Sequence, residues 1–495
     1  MELEEMLMTR TGYCALLAAA ALVACAQTTP EQQVVNDAAA AIGGRDRILA
    51  VKTLVLEGEG TQYNLGQDIT PDAAAQTFAV SAYRQAIDVG GGRSRTELTR
   101  RPNFTFFQGP APQRQVTGID GAVGYNVGAN GAATRVADSV ANDRRVDLLR
   151  HPLTAVRAAL DPMAKLANAR SEGSESLVDV MTASGQTFTL AIDGTTKLPT
   201  RMVARTDNTN LGDVAVTTSF SDYQDVGGLQ LATQLVTKVD DFTIADIRVA
   251  KQAADGDTGD LAAPADATKA PAITGPPPQT VAVEELAKGI WYLAGGSHHS
   301  VLVEFADHLT LIETPQNDAR ALAVIAKARE VVPGKPLTQV INSHHHFDHS
   351  GGIRAAMSEG LTVITHEGNV ALFKEVAARP HTIVPDALQK NPKPPSIEGV
   401  SGERVLTDKS MTVNLYPVSG PHSETMLMAY FPRERLLVEA DVYNPGGAVQ
   451  MFAGQFLEQV KQRNLRIDRI VPLHAKVGTY AQFVKEASVP PPGTN

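Results

Sequence analysis

Between residues 343 and 352 the chain reads Ser-His-His-His-Phe-Asp-His-Ser-Gly-Gly, directly after the apolar stretch 337–342. A short apolar run ending in a polar cluster reads as a buried strand, and loops at strand carboxyl ends are where α/β folds build their sites. Imidazole and carboxylate are ligand types that suit zinc and related divalent ions. Four donors within six residues, His344, His346, Asp348 and His349, cannot all reach one ion without severe strain. Alternate residues facing one way, with the next pair turned away, would instead serve two adjacent ions. Taken alone, the stretch is also compatible with a solvated histidine-rich turn. The wider distribution argues for more: of twelve histidines only His151 lies before residue 290. Histidine chemistry therefore belongs to the second half of the chain.

The pattern around this stretch is layered. Apolar segments at 289–293, 300–305 and 309–313 precede a helical pattern at 318–331, the strand 337–342, a helix at 352–358 and a strand at 361–365. Strands alternating with helices indicate an α/β domain, here spanning 281–487. Its run His344-x-His346-x-Asp348-His349 resembles the HxHxDH signature of the metallo-β-lactamase superfamily. Gly420-Pro421-His422-Ser423, Val438-Glu439-Ala440-Asp441 and Val471-Pro472-Leu473-His474 resemble, in the family's order, the segments that carry its remaining ligands. The resemblance implies a four-layer αββα sandwich. It also implies two zinc ions, with iron or manganese as alternatives: His344, His346 and His422 around one, Asp348, His349 and His474 around the other, and Asp441 bridging them. Two departures stand out. Glu313-Thr314-Pro315 replaces the family's aspartate followed by Thr-Gly, and a glutamate could orient a ligating histidine from its longer arm. His474 is followed by Ala475-Lys476 where relatives have glycine.

The same resemblance implies a metal-dependent hydrolase. Two ions about 3.5–4 Å apart can share a hydroxide at neutral pH, since metal binding lowers the pKa of water from about 15.7 to about 7. Attack by that bridging hydroxide would cleave a carboxylic ester, lactone or thioester, with one ion polarising the carbonyl. Asp348, as catalytic carboxylate, would help the leaving group away. Cleft-lining candidates are Tyr443 and Asn444, directly after Asp441; His298 and His299, after Gly295-Gly296; and His366, at a strand end. For each of these a purely structural role is equally open, and His345 is expected to point away from the ions. β-Lactam hydrolysis is the alternative. Against it, no cysteine follows residue 25 to supply the family's zinc–cysteine site, and its β-lactamases generally lack an aspartate at the position of Asp441.

Residues 31–252 carry a different pattern. Alternating stretches at 186–192 and 214–220, broken by Asp193-Gly194 and Asp225-Val226-Gly227-Gly228, suggest an antiparallel sheet with a helical interlude at 152–168. His151 precedes Pro152 with no acidic or metal-type partner nearby, and is assigned to a helix start or the core. The segments 193–208 and 219–238 are similar to the periplasmic lipoprotein-carrier (Lol-type) half-barrel, an antiparallel sheet curved around a helix, which implies a capacity to hold an acyl chain. A lipid or lipoprotein carrier with a merely structural metal site is thus the reading of a different class. Residues 253–280, rich in Ala, Asp, Gly and Pro, read as a semi-rigid linker.

The apolar run 13–26 is too short to span a bilayer and suits the core of a signal peptide. It ends in Leu22-Val23-Ala24-Cys25, which resembles the bacterial lipobox and implies that residues 1–25 are a lipoprotein signal whose Cys25 carries lipid on the periplasmic side of a bacterial membrane. Glu2, Glu4 and Glu5 precede Arg10 where a signal should open basic, so translation from Met8 is expected. The formal net charge of −10 sets nucleic acid aside as a partner, because that affinity rests on clustered Lys and Arg. Cys25→Ala should move the protein from the membrane to the soluble fraction; unchanged membrane association on fractionation would contradict lipidation.

Overall fold

A computed structural model of the chain describes residues 28–447 and 450–490; the signal-type segment and its Cys25 lie outside the described residues. The period-two segments of the first half pair into one antiparallel sheet, thirteen-stranded among the described residues. The expected strands at 186–192 and 214–220 are Thr187–Asp193 and the longer Gly212–Val226. Gly227 and Gly228, both at positive φ (61° and 80°), turn Gly212–Val226 into Leu229–Val239 as a two-residue hairpin, a turn type whose twist matches that of the strands it joins.

Helix Pro30–Ile42 touches both Leu229–Val239 and Lys165–Glu172, which stand five places apart in the sheet. In a flat sheet that separation is about 24 Å, twice a helix diameter, so this half of the sheet must curl around the helix. Val35, Ala38, Ala39 and Ile42 from the helix are buried with Val178, Leu190, Met202 and Leu231 from the strands. The enclosed face is thus filled by the chain's own helix. The helical interlude is Pro152–Ala159, and His151 is its N-cap, Nδ1 accepting from the Leu153 amide at 3.2 Å. From residue 165 the chain returns to strand.

The connection expected to be a linker opens on the last two residues of strand Phe242–Ala254 and is otherwise irregular apart from a short helix, Ala265–Lys269, but it is not a free spacer. Asp255 accepts from the Lys52 amide (2.7 Å), the Ala263 amide donates to Asp120 (3.0 Å) and Arg135 donates to the Ala270 carbonyl (3.1 Å). Leu261 is buried against Val55 and Ala86. The Asp255 carboxylate, the Ala263 amide and the Ala270 carbonyl fasten it along the sheet.

Beyond residue 281 two sheets face each other. Among the described residues, seven strands in chain order run from Ala282–Ala287 to Ser396–Val400, and six run from Arg404–Thr407 to Gly478–Thr479. In the first sheet pairing is antiparallel up to Leu309–Ile312 and parallel afterwards, because helices Asp318–Val331 and Ile353–Ser358 make the crossovers. Tyr292, Val303, Ile312 and Ile341 on one inner face meet Leu415, Phe431, Val438 and Val471 on the other. The outer faces are covered by Val324, Ile325 and Met357 on one side and by Phe456, Val460 and Phe483 on the other. The result is the αββα sandwich expected from the sequence.

His151 gives the first half a measurable pH response. Full burial holds its imidazole neutral, with the pKa lowered from 6.5 to about 4. Between those values the unfolded chain binds a proton that the folded chain refuses, so the stability tied to neutral His151 is complete above pH 6.5 and is lost as pH falls toward 4, up to about 3 kcal/mol. His151→Asn keeps a capping acceptor and should lose less stability than wild type across that window in urea titrations; equal slopes would contradict this role.

Candidate metal centre

The side chains of the centre all follow the carboxyl ends of strands. His298 follows Ile290–Ala294, Glu313 follows Leu309–Ile312, and His344 and His346 follow Leu337–Ile341. Asp348 and His349 lie on the one-turn helix Phe347–Ser350 that comes next. His422, Asp441 and His474 follow Thr412–Val418, Leu436–Glu439 and Arg469–Pro472. Asp441 and Glu313 both hold left-handed backbone (φ 63° and 70°), a conformation that costs free energy and gathers at functional sites.

The seven residues expected as ligands are brought together. His344, His346, His422 and Asp441 form one group whose donor atoms lie within 4.8 Å of one another, and His298, Asp348, His349 and His474 form a second. Asp441 joins the groups. Its Oδ2 lies 3.0 Å from His422 Nε2, 3.3 Å from His344 Nε2 and 2.7 Å from His349 Nε2, while Oδ1 lies 2.8 Å from His474 Nε2.

The donor set fits divalent metal. Nδ1 of His346 is buried with no hydrogen-bond partner, and an unpaired buried lone pair is costly unless something binds it. Burial, reinforced by the neighbouring His349, holds His344 far below the usual imidazole range, so it presents a lone pair. His349 is the reverse: burial disfavours its charge, but Asp441, Asp348 and Glu313 outweigh that and raise it well above the usual range. Burial would raise Asp348 and Asp441, yet the imidazoles, His349 first, hold both well below the ordinary carboxylate range. Three carboxylates around one buried ring demand a positive charge there, from a proton or from a metal ion.

A second layer fixes the rings. Glu313, fully buried, takes the Ser343 amide on Oε1 (2.5 Å) and His349 Nδ1 on Oε2 (3.0 Å), so the longer side chain does reach the histidine. His344 Nδ1 pairs with Ser343 Oγ (2.9 Å) and His474 Nδ1 with the Ser297 carbonyl (3.0 Å). His345 faces away, onto Thr425 Oγ1 at 3.1 Å.

The cleft candidates fare differently. His299 turns from the donors, its Nδ1 accepting from the Gly295 amide (3.1 Å) and its ring lying on Tyr292. Its neighbour His298 faces in, Nε2 3.1 Å from Asp348 Oδ2. The Arg320 guanidinium holds the loop through the His298 carbonyl (3.1 Å), and nothing local in sequence reports which of the two adjacent histidines faces the centre. Tyr443 is buried in the outer helical layer and donates to Glu486 Oε2 (2.8 Å), away from the donors. Asn444 braces its own turn through Gln450, and His366 caps the turn after its strand by accepting from the Gly368 amide (3.1 Å). Sequence reasoning also missed Gln67 and Asp68 of the first domain. Gln67 Nε2 donates to Asp348 Oδ1 (2.8 Å) and the Asp68 carbonyl lies 2.9 Å from His346 Nε2.

The family model described as the metallo-beta-lactamase superfamily matches residues 293–446, a span that ends before His474. Among solved structures, a metallo-beta-lactamase from Pontibacter korlensis is similar at 17% identity over 42% of this chain and 98% of its own, with a TM-score of 0.33. One from Hirschia baltica is similar at 18% identity over 42% and 96%, with a TM-score of 0.32. FIM-1 from Pseudomonas aeruginosa is similar at 16% identity over 43% and 99%, with a TM-score of 0.35. No curated protein matches the chain in sequence.

Glu313 offers a direct test of the second layer. Glu313→Gln keeps the shape but leaves one oxygen for two donors, so metal at the His349 position should bind about 10–100-fold more weakly. Competition titration against a chromophoric chelator measures this, and unchanged affinity would remove Glu313 from the role.

Proposed function

We propose that this metal-dependent hydrolase, whose second domain is of the metallo-β-lactamase superfamily, uses two zinc ions to cleave a carboxylic ester or lactone while tethered through Cys25 on the periplasmic side of a bacterial membrane. The observation that carries the two-ion reading is Asp441, whose carboxylate reaches His344, His422, His349 and His474 within 2.7–3.3 Å. His344, His346 and His422 would hold one ion, Asp348, His349 and His474 the other, and Asp441 both. Bound there, the ions would supply an activated water and polarise the scissile carbonyl.

The chain's own groups supply the rest. The Asp348 carboxylate is about a third exposed at the cleft, where it would help the leaving group away. His298 Nε2, at 3.1 Å from Asp348 Oδ2, orients that carboxylate. Val418, Pro421, Met426, Phe452 and Phe456 wall an apolar recess beside His422 with room for a group no larger than about one water or methyl. What supports an ester or lactone over a β-lactam is Asp441 itself, together with the lack of any cysteine after residue 25 to form a zinc–cysteine site.

Elemental analysis should find about two zinc ions per chain. Metal-loaded protein should hydrolyse members of a panel of esters and lactones and lose that activity on chelation. Turnover of a chromogenic cephalosporin alone would favour β-lactam hydrolysis. Absence of turnover, with chelation only lowering the melting temperature, would leave a carrier with a structural metal.

A further inference from the structure

The first domain reaches into the metal centre through the loop 64–76, which joins strands Thr53–Tyr63 and Thr77–Asp88. The loop closes on itself: the Asn64 amide donates to the Gln76 carbonyl (2.8 Å) and the Gln76 amide to Asp68 Oδ1 (3.3 Å). Four consecutive residues then each bond to the second domain. The Gly66 carbonyl accepts from the Phe347 amide (3.0 Å), Gln67 Nε2 donates to Asp348 Oδ1 (2.8 Å), the Asp68 carbonyl accepts from His346 Nε2 (2.9 Å) and the Ile69 carbonyl accepts from the Glu424 amide (2.8 Å). The loop thus straps the helix of Asp348 and His349 to the loop of His422.

We propose that the first domain is an integral part of the metal centre, with Gln67 and the Asp68 carbonyl as positioning groups for Asp348 and His346. A carbonyl can only accept, so the proton of His346 sits on Nε2 and the lone pair on Nδ1, the buried atom without a partner. Gln67 occupies Asp348 Oδ1 and leaves Oδ2 to face His298, His349 and His474. The ligand loop is also gripped from outside. Phe347, between two ligand residues, packs among Leu65, Leu211, Val214, Val216 and Val239 of the first domain, and Asn210 Nδ2 holds the Phe347 carbonyl (3.2 Å). Orienting groups of this kind govern metal affinity by about 10–100-fold.

The inference rests on the two-metal reading, and the test separates them. Zinc and cobalt(II) are titrated into metal-free full-length protein against a chromophoric chelator, alongside Gln67→Ala and Gly66→Ala. A Cβ on Gly66 would lie 2.3 Å from the Phe347 ring and on backbone at φ 74°, so Gly66→Ala shifts the strap as a whole. Gln67→Ala should weaken one of two sites about 10-fold or more, change the cobalt(II) spectrum of that site and leave the metal-free melting temperature unchanged. Gly66→Ala should weaken the other site as well. Wild-type affinities in both variants, or a loss in Gln67→Ala matched by a fall in its metal-free melting temperature, would overturn the proposal. Wild-type protein that binds no metal would overturn the two-metal reading instead.

Discussion

The structure depends on one electrostatic constraint: Asp441, Asp348 and Glu313 converge on a single buried ring, His349, inside a shell of further imidazoles. Taking carboxylates out of water costs several kcal/mol each unless they are paired. Each strand that ends at the cleft therefore delivers one or more partners in a mutual neutralisation. The strained backbone at Asp441 and Glu313 is consistent with this, since such conformations persist only where the surroundings over-determine them.

What could be read in advance was local in the chain. The run from His344 to His349 and the order of His422, Asp441 and His474 are short segments at strand ends, and each reappears where the chemistry required. Helix Asp318–Val331 matches its expected bounds because an Asn317 cap and an acidic first turn mark its start. The failures share a cause. His298 faces inward onto Asp348 while His299 bonds within its own loop, and Tyr443 bonds outward to Glu486; Asp348 and Glu486 are distant in sequence from the side chains they meet. Gln67 and Asp68 lie roughly 280 residues from the side chains they hold, in a loop whose composition carries no metal-type signal.

The thirteen-stranded sheet thereby acquires a purpose that its pattern did not announce. Its curled half encloses a helix, leaving the enclosed face occupied, and a hairpin loop elsewhere on the sheet projects to the cleft. A residue with no metal chemistry, Phe347, carries the mechanical link, because a ring plugged into a neighbouring apolar cluster resists rotation of the short helix that bears Asp348 and His349.

The fastened connection between the domains changes the thermodynamics of that contact. With residues 255–270 pinned to the sheet, little free chain is left before the second domain begins, so the docking partners are held at an effective concentration of at least the order of millimolar. Weak individual bonds are then enough to keep the strap seated. Loss of a single one of these bonds would then disturb the ligands beneath the strap without letting the domains part.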